Sequence, residues 1–336
     1  MMHSLYPWQL ADWEQLHGYL TQQRIPQALL ISGQQGLGKQ QLANQFAFSL
    51  LCESPQETGL SCGVCHSCLL LKADTHPDFV VIKPAETKKS ISIDQIRVLL
   101  IQLSLKPQFD RYRVVIIHPA DTLNNNSANA FLKCLEEPTE RTTIILISDR
   151  PSKLPATIVS RCQKLAIIPP DKSTVLSWLK QQSLPGDPEV LNSLAQGSPL
   201  LAQEFANSGF VKLRGDCFKS WIAIAKQQVH PVAVAEEWLK IPEDPLLFWV
   251  TSWVIDLMKC AYQIAGNLYN PDLVNSLQEM AQRLDLIRLY KLYDLLLNNR
   301  QLLDTQINKQ LMFEEMLIQW QELNRGKHYG RSTGTG

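Results

Sequence analysis

The stretch ALLISGQQGLGKQQLANQFAFSLL, residues 28–51, decides the fold of the first half of the chain. Its apolar start predicts a buried strand, its end has a helical pattern, and a glycine-rich turn joins the two. In a strand–turn–helix unit of this kind the turn and the first amides of the helix form a cradle for phosphate groups. The turn, GQQGLGKQ at residues 33–40, is therefore a candidate phosphate loop, whose glycines and lysine are Gly33, Gly36, Gly38 and Lys39.

This loop departs from its usual pattern at the final position. A serine or threonine there ordinarily binds the magnesium ion of the nucleotide, and Gln40 stands in its place. A long amide side chain is a poor substitute for a compact hydroxyl in an octahedral magnesium shell. Gly33, Gly36, Gly38, Lys39 and Gln40 are thus predicted to form a degenerate, inactive nucleotide-binding loop.

A second departure concerns the strand predicted over residues 114–117. In a working ATPase this strand would end in acidic residues that hold magnesium and polarise water, but His118 and Pro119 follow it here. Asp121 lies too far along the loop to replace them. Two magnesium-handling features are absent together, so we predict that the chain does not hydrolyse ATP by itself.

Further apolar runs at residues 79–82 and 143–147 predict two more buried strands. Helical patterns lie between the strands, for example over residues 92–105, where Ser92 and Gln95 have capping-box spacing. Alternation of strands and helices predicts an α/β P-loop domain, with a parallel sheet covered by helices on both faces. We place this domain at residues 1–168.

After residue 168 the pattern becomes helical and no convincing strand is found. Residues 169–208 predict a small helical lid domain, and residues 209–325 an all-α domain whose tryptophans recur at the spacing of a helical core. An apolar stretch at residues 245–265 contains Asp256 and Lys259, which favours a buried helix over a membrane span. The glycine-rich tail, residues 326–336, is expected to be disordered.

Composition narrows the class of protein. Thirty-two basic and 32 acidic residues give a formal net charge of zero, whereas a stand-alone DNA-binding protein is usually basic. Hydrophobic residues make up 45% of the chain, enough for a sizeable core. The sequence shows no secretory signal, so we expect a cytoplasmic location.

Four cysteines, Cys52, Cys62, Cys65 and Cys68, have the spacing C-x9-C-x2-C-x2-C. Four thiolates can complete a tetrahedral zinc shell, which leaves no position for a catalytic water, so a structural Zn²⁺ is predicted in an inserted module at residues 52–68. An iron–sulfur cluster is the alternative, but its usual cysteine–proline continuation is missing. A third possibility is that the four cysteines are free thiols. A nucleic-acid-binding knuckle is disfavoured because no basic, aromatic-rich stretch surrounds the cysteines.

Two segments resemble signatures of clamp-loader ATPases of the AAA+ family. They are SANAFLKCLEEP at residues 127–138 and LPATIVSRC at residues 154–162. Together with the cysteine cluster, His76-Pro77-Asp78 and Tyr6-Pro7-Trp8, they resemble the delta-prime subunits of bacterial DNA polymerase III over residues 1–325. The resemblance implies an AAA+ module, a helical lid and a helical collar that joins five subunits in a ring.

The resemblance also implies a role for Arg161, the arginine of the SRC segment. In such rings this arginine reaches the ATP bound by a neighbouring subunit and stabilises the charge of phosphoryl transfer in trans. The alternative is an ordinary ion pair between Arg161 and Glu136 or Glu137. Active relatives also carry a lid arginine after a Gly-Ser pair, whereas Gly197-Ser198 is followed here by Pro199.

Together with these departures, the resemblance implies a stator-like subunit that helps to load the sliding clamp onto primed DNA during replication. The expected partners are the gamma/tau ATPase subunits and the delta subunit, with the clamp and primer–template DNA contacted through the complex and no membrane. ATP is expected not to be bound or not to be hydrolysed. The alternative is a working clamp-loader ATPase of the gamma/tau type. The implied location is the nucleoid-associated replisome.

Overall fold

The computed structural model describes residues 5–86, 88–109, 111–136, 139–264, 268–303 and 307–325. The tail predicted to be disordered, residues 326–336, lies outside these ranges, as does Glu137. The chain divides into two compact units. The first comprises the chain up to Val175 with Ser198–Leu201, and the second comprises Leu176–Gly197 and the chain from Ala202 onward. The division into domains at residues 168 and 208 stays a prediction.

The first unit is built on a five-stranded, all-parallel sheet with the order β2–β3–β4–β1–β5. The strands are β1 (Ala28–Ser32), β2 (Phe79–Ile82), β3 (Arg113–Ile117), β4 (Thr142–Ser148) and β5 (Gln163–Ala166). The first four confirm the strands predicted from apolar runs, but β2, predicted to be buried, lies at the edge of the sheet and is only partly buried. The edge strand β5 was not predicted, because its sequence QKLA is polar and only Leu165 is buried.

Helices cover both faces of this sheet. They are α1 (Leu10–Thr21), α2 (Lys39–Leu51), α3 (His66–Lys72), α4 (Ile93–Ser104), α5 (Asn125–Glu136) and α6 (Ala156–Val159). On one face α1 and α2 pack against Leu29 and Ile31, and on the other α4 and α5 pack near Leu30. The capping box of α4 is present, since Ser92 accepts a hydrogen bond from the backbone N–H of Gln95. The predicted α/β class is confirmed.

From residue 172 onward every regular element among the described residues is helical, as predicted. The α-helices are α7 (Lys172–Gln181), α8 (Pro188–Leu194), α9 (Pro199–Asn207), α10 (Phe210–Ala225), α11 (Pro231–Trp238), α12 (Glu243–Ala261), α13 (Val274–Ala281), α14 (Leu286–Leu302) and α15 (Lys309–Asn324). A short 3-10 turn, Pro271–Leu273, precedes α13.

Tryptophans form the centre of the second unit, which confirms their prediction as core residues. The rings of Trp221 and Trp320 stack with centroids 3.7 Å apart, and Trp320 Nε1 donates to the carbonyl of Trp221. The apolar helix α12 is buried beside them, and its Asp256 accepts hydrogen bonds from the backbone N–H groups of Tyr269 and Asn270. None of the helices in the described ranges has the length and apolarity that crossing a membrane requires.

Candidate functional site

The glycines of the phosphate loop are required where neighbouring segments press against the backbone. Gly38 precedes α2 with φ +80°, and a Cβ there would lie 2.6 Å from Nε2 of Gln9. Gly36 also has φ +80°, and its Cβ would meet Leu201 at 2.7 Å. Both positions therefore need glycine for conformation and for space.

The loop lysine, Lys39, is paired within its own chain. Its ammonium lies 2.6 Å from a carboxylate oxygen of Asp149, which directly follows β4, and it also donates to the carbonyl of Gln34. Only 4% of Lys39 is exposed. Asp149 thus supplies the negative charge that a phosphate group would otherwise bring to this lysine.

Asp149 is held in this position by Asp121, the residue that the sequence placed beyond the end of β3. One carboxylate oxygen of Asp121 accepts hydrogen bonds from the hydroxyl of Ser148 at 2.7 Å and from the backbone N–H of Asp149 at 3.2 Å. Asp121 therefore has a defined role in fixing the end of β4, which the sequence did not indicate.

His118 occupies the position at the end of β3 where a working ATPase would carry an acidic residue. Burial lowers the pKa of its imidazole; nearby Asp149 opposes this shift and Lys39 adds to it. Its Nδ1 atom is buried and has no hydrogen-bond partner among the described residues. The end of β3 thus presents an imidazole whose neutral form is favoured.

The side chain of Gln40 is hydrogen-bonded to a residue of its own helix. Its side-chain nitrogen donates to Oδ1 of Asn44, one turn further along α2, at 3.0 Å. Its Oε1 atom is buried without a hydrogen-bond partner in the described structure. The amide that replaces the usual hydroxyl is therefore engaged with its own helix.

Two other segments close around the loop: the start of α9, within the region predicted as a lid, and Gln9, to which sequence reasoning assigned no function. The backbone N–H of Leu200, in the first turn of α9, donates to the carbonyl of Gly36 at 3.1 Å. Gln9 donates from Nε2 to the carbonyls of Leu37 at 3.2 Å and Gly38 at 2.8 Å. The segment that lacks the lid arginine thus caps the loop with its backbone. Position at the carboxyl end of β4 was the signal that could have identified Asp149.

Arg161 lies apart from this cluster, just after α6. Its guanidinium contacts a carboxylate oxygen of Glu136 at 2.7 Å and donates to the carbonyl of Thr157 at 2.9 Å. The two side chains of the ion pair are 37% and 50% exposed. The structure therefore contains the ion pair that the sequence offered as the alternative reading, in a solvent-accessible place.

The four predicted metal ligands are brought together. Their sulfur atoms all lie within 4.8 Å of one another, with Cys52 to Cys65 at 4.0 Å and Cys62 to Cys68 at 3.9 Å. Tetrahedral zinc with Zn–S bonds of about 2.3 Å requires neighbouring sulfurs about 3.8 Å apart. The cluster can thus hold a metal ion.

The local backbone supports these sulfurs. N–H groups of Cys62, Cys65 and Cys68 each point at a preceding cysteine sulfur, at 3.2 to 3.4 Å. Hydrogen bonds from the backbone N–H groups of Val64 and Cys65 lower the pKa of the Cys62 thiol to about 6. Donors of this kind stabilise the thiolate form that binds metal.

A buried polar network connects the cysteine module to the sheet through the His76-Pro77-Asp78 segment. His76 Nε2 lies 2.9 Å from the hydroxyl of Ser67 in α3. Asp78 is fully buried and accepts hydrogen bonds from the guanidinium of Arg113, at the start of β3. The motif therefore has a structural role in positioning the module.

Comparisons with known proteins cover most of the chain. The family model described as "DNA polymerase III, delta subunit" matches residues 8–171, and "DNA polymerase III, delta subunit, C terminal" matches residues 208–322. The gap between the two matches falls between residues 171 and 208. The sheet-containing region and the helical region are thus both matched by family models of DNA polymerase III delta subunits.

Similar proteins are also subunits of DNA polymerase III. The chain is 37% identical to DNA polymerase III subunit delta' of Pseudomonas aeruginosa, over 96% of this chain and 99% of the relative. It is 30% identical to the subunit of the same name in Haemophilus influenzae, over 83% and 85%. A tau/gamma subunit of Haemophilus influenzae is 32% identical, over 53% of this chain and 26% of that protein.

Proposed function

This chain belongs to the delta-prime family of bacterial DNA polymerase III clamp-loader subunits, and on that premise we propose that it does not hydrolyse ATP itself. The observation that carries the proposal is the pair between buried Lys39 and Asp149, 2.6 Å apart. A nucleotide would have to displace Asp149 and would then place its phosphates beside that carboxylate. Gln40 and His118 replace groups that would handle magnesium, which supports the same proposal.

We further propose that Arg161 acts in trans on the ATP of a neighbouring ring subunit. Its ion pair with Glu136 is exposed, and exposed pairs contribute about 0–1 kcal/mol. Releasing the guanidinium to a neighbour's γ-phosphate therefore costs little, and a planar guanidinium is suited to oxygen atoms that gain charge during transfer.

In this proposal the chain is a stator that holds the geometry of the ring. Its partners would be gamma/tau ATPase subunits and a delta subunit in a five-subunit ring, through which it helps to load the sliding clamp onto primer–template DNA in the cytoplasm. The helical region at residues 209–325 would serve as the collar, and residues 169–208 as the lid.

We propose zinc as the ion of the four-cysteine site. Four sulfur ligands suit Zn²⁺, and a complete shell leaves no position for a reacting water, so the ion would be structural. Cys52, Cys62, Cys65 and Cys68 would hold it and thereby fix the fold of the inserted module.

The first test compares wild type and Arg161→Ala in a complex reconstituted with the ATPase subunits. ATP turnover is expected to fall by about tenfold or more in the variant, because the neighbouring site loses a charge-stabilising group. Glu136→Gln is the matched control, since it breaks the same ion pair and keeps the arginine, and it should leave turnover unchanged. Unchanged turnover in Arg161→Ala would reject the role in trans.

A working ATPase of the gamma/tau type is the competing function. The isolated chain separates the two, because a motor subunit should bind and turn over ATP with magnesium. We expect no turnover above background and no effect of Lys39→Ala. Magnesium-dependent hydrolysis that disappears in Lys39→Ala would overturn the proposal.

A further inference from the structure

A cavity of about 740 Å³ lies in the first unit, away from the phosphate loop. Its lining includes Ile25, Tyr112 and Arg141, which come shortly before β1, β3 and β4. Because these strands are parallel, the cavity is at the amino-terminal edge of the sheet, whereas Lys39 and Asp149 are at the carboxyl-terminal edge. The cavity is thus a separate site, with a volume in the range of ligand-binding pockets.

The cysteine module forms one wall of this cavity. Nine residues separate Cys52 from Cys62, although two to four are enough between neighbouring ligands of a zinc shell. Part of this long loop, including Glu57 and Gly59, lines the cavity. Metal binding alone does not explain a loop of this length.

The loop is held firmly against α1. The indole N–H of Trp13 donates to the carbonyl of Thr58 at 3.1 Å. A Cβ at Gly59 would lie 2.3 Å from Cδ2 of His17, so glycine is needed for this close approach. The wall is therefore fixed by contacts within the first unit.

The floor is apolar and the rim carries positive charge. Leu20, Ile25 and Leu50 supply aliphatic surface. Arg111 donates to the backbone carbonyls of Cys52 and Glu53, at 2.5 and 2.7 Å, which orients its guanidinium without neutralising it. Arg141 adds a second, exposed guanidinium.

The lining also contains an imidazole and a phenol hydroxyl that a ligand could pair with. Within the described parts of the chain, neither the imidazole of His17 nor the hydroxyl of Tyr112 has a hydrogen-bond partner, and both residues are half-buried. They can pair with the amide groups of a bound chain. Since polar groups at a pocket fix ligand orientation, the lining is suited to a molecule with apolar, anionic and amide parts.

We propose that this cavity binds an acidic peptide segment of a partner protein. An aliphatic side chain would lie on the floor, and carboxylates would meet Arg111 and Arg141. Glu57 is also a lining residue, and its carboxylate would repel a doubly charged phosphate more than a singly charged carboxylate.

The proposal is tested by fluorescence polarisation on the full chain with its metal bound. The probe is a fluorescein-labelled hexapeptide of alternating aspartate and leucine, compared with one in which lysine replaces aspartate. We expect saturable binding of the acidic peptide only, weakened about tenfold in Arg141→Glu, as loss of a charge-assisted contact implies. Arg97→Glu, at an exposed position of α4, is the matched control and should change binding less than twofold.

Leu20→Asp is a second variant, which places a negative charge on the apolar floor of the cavity. Thermal melts should show that each variant is folded. Three results would overturn the proposal: no saturable polarisation at millimolar protein, equal binding of the lysine peptide, or equal weakening by Arg97→Glu. A parallel polarisation measurement uses fluorescent ADP as the probe. If ADP binds in a way that depends on Arg141 and the acidic peptide does not bind, the cavity is a nucleotide site and the peptide proposal is wrong.

Discussion

At Lys39 the phosphate loop keeps its lysine but directs it to a carboxylate of the same chain. Lys39 and Asp149 are both at least partly removed from solvent, so their attraction is stronger than that of an exposed pair. Asp121 fixes the carboxylate through the backbone N–H of Asp149. One residue after β4 thus pairs with the lysine of the loop.

The change Asp149→Asn tests this at the residue scale. Lys39 would remain buried without a full counter-charge, so the free energy of unfolding should fall by about 2 kcal/mol. Inorganic phosphate or ADP should then bind about tenfold more tightly than to wild type, because the anion no longer competes with a carboxylate. Isothermal titration calorimetry and urea unfolding with and without phosphate measure both effects.

Asp94→Asn serves as the control for that experiment, since Asp94 is an exposed aspartate paired with Arg97 on α4. It should change neither stability nor anion binding by a measurable amount. Equal anion affinity in wild type and Asp149→Asn would show that Asp149 does not block the loop.

At the scale of elements, the segment between α2 and β2 contains the four clustered cysteines. It contains one short helix, α3, and turns whose polar groups point at sulfur atoms. Ser67 and His76 then join it to the rest of the unit. Such a segment has little apolar core of its own, so a metal ion should contribute much of its stability.

Removal of the metal should therefore unfold this segment first. Cys65→Ser is expected to abolish binding of one equivalent of zinc and to lower the melting temperature, because three ligands leave the shell incomplete. Elemental analysis gives the metal content and calorimetry the melting temperature. Cys260→Ser, outside the cluster, should retain the metal. Full zinc content in Cys65→Ser would contradict the assignment of the four ligands.

At the scale of the whole molecule, each of the two units has its own hydrophobic core. In the first, two clusters lie on opposite faces of the sheet. In the second, one cluster draws on most of the helices and contains Trp221, Trp238, Trp249, Trp253 and Trp320. The charge of the chain is balanced, with 32 basic and 32 acidic residues, which suits a component of an assembly better than a DNA-binding protein that acts alone.

Trp320→Ala tests the core of the second unit. The change removes the stacking on Trp221 and a buried hydrogen bond, and it should cost about 3–5 kcal/mol. Urea unfolding followed by helical circular dichroism measures this loss of stability, and the transition should occur at a lower urea concentration than in wild type. The zinc content of the first unit should be unchanged. Ile287→Ala, at a residue 72% exposed, should change stability by less than about 0.5 kcal/mol. Similar effects of the two changes would contradict the assigned core.

The sequence by itself was sufficient for features that depend on neighbouring residues. Apolar runs predicted four of the five strands. A strand buried on both faces has a continuous apolar sequence, as β1, β3 and β4 do, and the partly buried edge strand β2 is apolar as well. Cysteine spacing predicted the cluster, since ligands on adjacent turns converge on one point. Gln40 and His118 were recognisable as departures because each stands at a fixed place relative to a strand and a turn. The polar strand β5 had no such signal.

Only the tertiary structure decided which distant residues meet. Asp149 is 110 positions from Lys39, and Leu200 is 164 positions from Gly36, yet both pairs are in contact. The cavity likewise combines α1, the cysteine module and the starts of β3 and β4. Such contacts depend on strand order and on how loops pack at each edge of the sheet. Local periodicity carries no information about either, because it reflects only the environment of one element at a time.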